Sequence, residues 1–243
     1  MSAAQSPTVL IAGATSSSGV AAAQALHDAG ARVLVAGTSA ERLAERLPFA
    51  AGRYVADLSD AAATNALAEQ IHTDFGPLDG LIHLVGGWRG GKGLAGQSDE
   101  DYDFLHRHVV LTLRNTSRAF FADLSGSPVG RLAVVSSTAV QHPTGSGANY
   151  VAAKAAAEAW TMAAAAGLRA AQSGNKHSPV AQHSAATVLV IKAFVDAAAR
   201  SREPARDFTG FTDVSDFGTA VAGLFDADAA SLNGTRLSLV PRA

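Results

Sequence analysis

Ser137, Tyr150 and Lys154 stand thirteen and then four positions apart in the stretch "RLAVVSSTAVQHPTGSGANYVAAKAAAEAW". The apolar run 132–135 reads as a strand that ends at Ser136 and Ser137. Tyr150 and Lys154 open a helical stretch, and their spacing puts them on one face. A phenol with an ordinary pKa of about 10 exchanges protons poorly near neutrality. A neighbouring ammonium favours the phenolate, so Lys154 is expected to bring Tyr150 toward working pH. Ser137, at the carboxyl end of a strand, is placed to hold a reacting oxygen while Tyr150 exchanges a proton with it. An exposed Tyr–Lys pair on a helix explains the pair alone, but not its coincidence with Ser137 and a phosphate-type loop upstream.

That loop is "AGATSSSGVAAAQAL", at 12–26, between the apolar run "TVLI" and an alanine-rich stretch. Gly13 permits a tight turn, and Gly19 permits close packing of helix on sheet. The helix N-terminus then offers free N–H groups to a pyrophosphate. Thr15 and Ser17 lie in the same turn, and Ser17 takes the place of the middle glycine, where backbone normally comes closest to the phosphates. An ordinary strand-to-helix turn is the competing reading, and the loop alone leaves both open. After the next strand, "RVLVAG", come Gly37, Thr38 and Ser39, with no carboxylate to hold a ribose 2′-OH or repel a 2′-phosphate. The hydroxyls of Ser16, Ser18, Thr38 and Ser39 are expected to donate to phosphate, with Arg42 one helical turn on. Thr38 or Ser39 also suits the cap of the helix beginning at Ala40. These residues point to NADP(H) as the preferred cofactor and NAD(H) as the second choice.

The glycine-rich loop "GGWRGGKG" at 86–93 follows another strand. Trp88 is expected to wall a substrate pocket, ahead of Arg89 and Lys92 as contacts for an anionic group, and His142 to border it. Solvated cations on a mobile loop are the competing reading. The histidines show no metal-ligand spacing; His106 and His108, two apart, face different sides of a helix, so no metal site is expected.

Alternating elements must position these groups. Apolar runs at 8–12, 32–36, 81–85, 131–136 and 187–191 read as buried strands, with weaker ones at 53–57 and 236–240. Helical stretches lie at 20–29, 40–47, 61–75, 99–124 and 150–171. This alternation predicts an α/β doubly wound parallel sheet with helices on both faces, and ligands at the carboxyl ends of the strands. The 243 residues suit a single domain. The net charge of −2 offers no basic footprint for nucleic acid or anionic lipid. The absence of cysteine excludes disulfides and thiolate chemistry, and fits a reducing cytoplasm. The polar start "MSAAQSP" predicts no signal peptide, and no stretch is apolar enough to predict a membrane span.

The chain resembles the short-chain dehydrogenases/reductases. The likeness is carried by "AGATSSSG", Asp57 in "ADL", "LIHLVGG", Ser137 and "YVAAK", and runs along nearly the whole chain. It implies a Rossmann-type fold, NAD(P)-dependent hydride transfer on a small carbonyl/alcohol pair, and a homo-oligomer, either dimer or tetramer. It further implies that Ser137 orients the substrate oxygen, that Tyr150 is the general acid/base, and that Lys154 binds the nicotinamide ribose. Asp57 would touch the adenine, with Leu58, Val85 and Gly86 also against the cofactor. Four departures stand out. Ser17 replaces a glycine, "HLVG" at 83–86 replaces Asn-Asn-Ala-Gly, His108 falls where a helix asparagine completes the catalytic set, and "IKAFVD" at 191–196 lacks Pro-Gly. The segment 193–212 implies a shortened substrate lid, and "ARDFTGFTDVSDF" is thinly similar to dihydropteridine reductase. The departures make a non-catalytic dinucleotide sensor the alternative function; the intact Ser137, Tyr150 and Lys154 oppose it.

Overall fold

The structure, a computed structural model, describes residues 6–241; the first five residues of the polar start lie outside them. Seven parallel strands form one sheet: β1 (Thr8–Ala12), β2 (Arg32–Gly37), β3 (Gly52–Val55), β4 (Gly80–His83), β5 (Arg131–Ser137), β6 (Ala185–Ile191) and, named last in chain order, β9 (Thr235–Ser238). Their order is β3-β2-β1-β4-β5-β6-β9, so the winding reverses between β1 and β4. A two-stranded ribbon pairs β7 (Phe194–Val195) with β8 (Thr212–Asp213). The helices are α1 (Ser17–Asp28), α2 (Ala40–Arg46), α3 (Ala61–Phe75), α4 (Asp99–Leu105), α5 (Thr112–Ala119), α6 (Phe121–Gly126), α7 (Ala148–Ala171), α8 (Ala197–Arg202), α9 (Val214–Gly223) and α10 (Ala229–Leu232).

Both faces of the sheet are covered, and the strands show why. In β1, Leu10 and Ala12 enter one core with Leu67, Ile71, Leu113, Ala157 and Leu168, from α3, α5 and α7. Val9 and Ile11 enter the other with Ala22, Leu26, Leu43, Phe217 and Val221, from α1, α2 and α9. Alternate side chains point to opposite faces, so a strand buried on both sides must be apolar throughout. The doubly wound single-domain fold expected from the sequence is the fold observed.

Boundaries moved where side chains intervene. β4 stops at His83 rather than at 85 because the Gly13 turn closes against the chain there. Gly13 has φ +81°, and a Cβ on it would sit 2.8 Å from the Val85 nitrogen. α1 begins at Ser17, capped by Ser16, which accepts the Gly19 N–H at 3.0 Å. The stretch 99–124 is not one helix. A π-helical segment, His106–Leu111, separates α4 from α5, and Phe120, at φ −105° and ψ 8°, breaks α5 from α6.

The π segment is tied to the sheet by His83. This ring lies between the Thr112 and Thr116 hydroxyls, each 3.1 Å away. The same hydroxyls also reach the His108 and Thr112 carbonyls, at 2.7 and 2.8 Å. Burial, with the Lys154 charge second, pushes the His83 pKa down to about 3, so the ring is neutral, one nitrogen donating and the other accepting. In the unfolded chain His83 titrates near the ordinary value of about 6.5. Below that pH the unfolded state binds a proton that the folded state refuses, so stability falls as pH drops from about 6.5 toward 3. His83→Gln keeps hydrogen-bonding capacity and removes the titration. Urea unfolding at pH 7 and pH 5 is expected to show the loss of stability on acidification reduced by about 2 kcal/mol in His83→Gln. An identical loss in both proteins contradicts the neutral clamp.

Candidate active site

Strand β5 delivers Ser137 as its last residue, at the carboxyl edge of the sheet. Its hydroxyl accepts the Ala139 N–H at 3.2 Å, which fixes the turn beyond the strand. Helix α7 brings Tyr150 and Lys154 to the same edge. The Tyr150 phenol faces the Ser137 hydroxyl, which favours its ionised form. Lys154 is buried beneath, 8% exposed, and donates from Nζ to the Val135 carbonyl at 2.8 Å. Sequence spacing and structure therefore agree on the grouping of Ser137, Tyr150 and Lys154.

The electrostatics differ from expectation. Burial raises the Tyr150 pKa, opposed only by Ser137, so the ammonium does not pull the phenol down. Lys154 Nζ sits 5.9 Å from the centre of the tyrosine ring and is engaged by the β5 backbone. Lys154 is itself shifted down to about 8, chiefly by burial, with Glu158 opposing. Glu158 lies one turn along α7 and accepts from Ser136 Oγ at 2.5 Å and from Arg236 Nε and Nη2 at 2.8 and 3.1 Å. Sequence reasoning missed this acid and its partner on β9. Glu158 four residues after Lys154 was a visible signal; Arg236, 78 residues further on, was not.

The opening loop is shaped for a dinucleotide. A Cβ on Gly19 would meet the Ala14 carbonyl oxygen at 2.5 Å, so glycine keeps α1 pressed on the turn beside the sheet reversal. The loop's hydroxyls are less free than expected. Ser16 caps α1 by accepting the Gly19 N–H and contacts Ser18 Oγ at 3.2 Å; Ser18 is buried, whereas Ser16 is exposed and a cap that accepts leaves its O–H for a ligand. The Ser17 hydroxyl lies by Asp196, whose carboxyl it helps hold below the usual range, after the Ala199 N–H. Ser39 caps α2 through the Arg42 N–H at 3.3 Å, and Thr38 is exposed. Arg42 and Arg46 both donate to the Thr15 carbonyl, which brings two guanidinium groups to the end of β2 beside Gly37. Arg46 was missed because only the fold of α2 against the loop carries it there.

Other expected residues divide. Asp57 is exposed, and its carboxylate takes the Ser59 N–H and Oγ–H at 2.9 and 2.7 Å, which hold its pKa low. The Leu58 side chain is in the core, so only its backbone borders this edge. Val85 packs on the same core, and a Cβ on Gly86 would lie 3.7 Å from Lys154 Nζ and 3.8 Å from Val109 Cγ2. His108 bonds the Phe104 carbonyl at 2.8 Å and stacks on the Phe104 ring at 4.2 Å. Its ring is not a hydrogen-bond partner of Lys154, and the π-segment residue beside Gly86 is Val109. Trp88 lines a cavity of about 400 Å³ together with Ser137, Tyr150 and Lys192. His142 is exposed and not among the residues lining it. Arg89 turns away onto Phe104, 3.8 Å from its ring centre, and toward Asp101 at 3.5 Å.

Solved structures share the fold. The actinorhodin polyketide ketoreductase with NADPH superposes with TM-score 0.81 at 19% identity, over 99% of this chain and 98% of that one. A gluconate 5-dehydrogenase from Burkholderia cenocepacia, in complex with NADP and tartrate, gives 0.76 at 22%, over 96% and 93%. An NAD+-bound xylitol dehydrogenase gives 0.77 at 16%, over 96% and 97%. No curated protein matches the chain by sequence. The family model described as short chain dehydrogenase matches residues 7–172, from the strand before the glycine turn to the end of the helix bearing Tyr150 and Lys154. Over that span the motif and the geometry coincide, and the chain belongs to the short chain dehydrogenase family of oxidoreductases.

Proposed function

We propose that this protein reduces a small carbonyl compound, or oxidises the corresponding alcohol, with NADP(H) preferred over NAD(H). The observation that carries the reading is the Tyr150 phenol facing Ser137 at the wall of the cavity, with Lys154 buried behind it. Ser137 Oγ–H holds the substrate oxygen. The phenol is protonated at neutral pH, and Tyr150 Oη donates to that oxygen, with the Ser137 hydroxyl favouring the ionised form that results and burial opposing it. A reduced nicotinamide, when bound, supplies the hydride. The Lys154 ammonium keeps a positive charge beside the site, and the Glu158–Arg236 pair holds that end of the helix to β9. A dinucleotide sensor without chemistry has no use for this matched set.

The Gly13 and Gly19 cradle fits a pyrophosphate, because a Cβ at either position would strike backbone. Preference for NADP(H) is supported by Arg42 and Arg46 at Thr15, with no carboxylate at Gly37. We further propose 193–212 as a short lid, a cytoplasmic location, and a homodimer or homotetramer. The oligomer is supported by the exposed alanines Ala152, Ala155, Ala159 and Ala163, which give α7 a small-residue face. No helix among the described residues is long and apolar enough to cross a membrane.

Tyr150→Phe is expected to lower turnover by about 10² to 10⁴ while NADPH binding stays unchanged, checked by steady-state rates and fluorescence titration. Undiminished turnover contradicts the proton-donor role. At Gly37 a Cβ would meet Leu43 and Thr15 at 3.5 and 3.6 Å, ordinary contact, so Gly37→Asp fits without backbone movement. The parent is expected to favour NADPH over NADH by roughly tenfold to a hundredfold, and Gly37→Asp to reverse that order in the same titration. A ratio untouched by the substitution contradicts the cofactor assignment.

A further inference from the structure

Strand β6 ends at Ile191, the register partner of Ser137. The next residue, Lys192, therefore leaves the sheet beside the group that holds the substrate oxygen. It lines the same cavity as Trp88, Ser137, Thr144, Ser146 and Tyr150. Among the described residues it is the one charged side chain in that lining, and no carboxylate shares the wall. We infer that Lys192 is a specificity-determining residue that selects carbonyl substrates bearing a carboxylate. The inference rests on the reading of this cavity as the substrate site.

The ammonium is held in place. Nζ donates to the Thr209 carbonyl at 3.0 Å and lies 5.4 Å from the centre of the Phe211 ring. Gly210, at φ +77°, leaves room for the stem; a Cβ there would come within 3.4 Å of Lys192 Cδ. One N–H is thus committed, and two remain for a ligand. Three cations of the flanking segments are paired, Arg89 with Asp101, Arg200 with Asp213 and Arg206 with Glu203, and Lys92, in the loop beside Gly91, does not line the cavity. Lys192 forms no ion pair among the described residues. Asp207 feels its charge without pairing with it, and one oxygen of that carboxylate, Oδ1, takes the Thr209 N–H and Oγ–H at 2.8 and 2.6 Å. An exposed ammonium with no ion-pair partner, on a cavity wall of hydroxyls and indole, favours an anion through a charge-assisted hydrogen bond that a neutral ligand does not make. Trp88, 68% exposed, supplies apolar surface for the rest of the molecule.

Levulinate and its methyl ester differ by this one charge. Each is titrated calorimetrically into protein saturated with NADP+, and turnover of each with NADPH is measured separately. The parent is expected to bind levulinate about tenfold to a hundredfold more tightly than the ester. Lys192→Met keeps the stem over Phe211 and Gly210 and is expected to abolish that preference. Lys192→Arg, which keeps the charge, is expected to retain most of it. Equal binding of the two probes, or no binding of either, overturns the assignment, even where the ester is reduced and the oxidoreductase reading stands. Loss of preference in Lys192→Arg as large as in Lys192→Met also overturns it, because disturbance of the Thr209 contact then explains both. Preferential levulinate binding without turnover of either probe upholds Lys192 and contradicts the proposed reaction instead.

Discussion

Lys154 donates to the Val135 carbonyl at 2.8 Å from a position only 8% exposed, and a charge taken that far from water persists only where the fold supplies partners. The β5 backbone provides one, and Glu158, one turn along α7, provides the field of a carboxylate. That carboxylate in turn needs Ser136 and Arg236. The chain of dependence runs from the helix through the middle of the sheet to its last strand. It fixes the rotation and height of α7 on β5. Tyr150 then has one place to go, opposite Ser137, because it sits one turn before an anchored lysine.

Anchoring has a chemical consequence. An ammonium directed at a backbone carbonyl acts on the phenol less than one pointed at its oxygen. Burial then governs Tyr150 and raises its pKa, which keeps the phenol protonated and makes it a weaker acid than a solvated tyrosine. The same burial makes His83 neutral and holds the π segment against β4. Through that segment Val109 is set beside Gly86. A π turn inside a helix at the site edge is a common device for re-aiming a few side chains. Here the threonine hydroxyls around His83 are what hold it.

Much of this was legible in the sequence. β1 and α3 fall where their patterns put them, at Thr8–Ala12 and Ala61–Phe75, because short-range periodicity and an Asp60 cap define them. The grouping of Ser137, Tyr150 and Lys154 follows from one strand end and one helical turn. What stayed hidden depends on contacts between distant segments. Arg236 reaches Glu158 from β9, Arg46 reaches Thr15 across the β2 edge, and Lys192 reaches the cavity because β6 lies next to β5. His83 stood out only as a departure in "HLVG", since nothing local announces its two threonines, one at the start of α5 and one a turn further on. At the phosphate loop the cap role of Ser16 and the burial of Ser18 went unread, because both depend on how α1 seats on the turn. The direction of the Tyr150 shift was misjudged because spacing shows which charge is near, not which way it points.

The claim that burial, rather than the lysine, sets the protonation of Tyr150 is tested most directly by titrating that phenol. Ultraviolet difference spectra of the parent against Tyr150→Phe, recorded from pH 6 to pH 12 in the absence of dinucleotide, isolate its ionisation. The account predicts no phenolate signal from Tyr150 until the pH exceeds the ordinary tyrosine value of about 10. A Tyr150 phenolate already formed near pH 7 or 8 would contradict it, and would show that the Lys154 charge dominates the site.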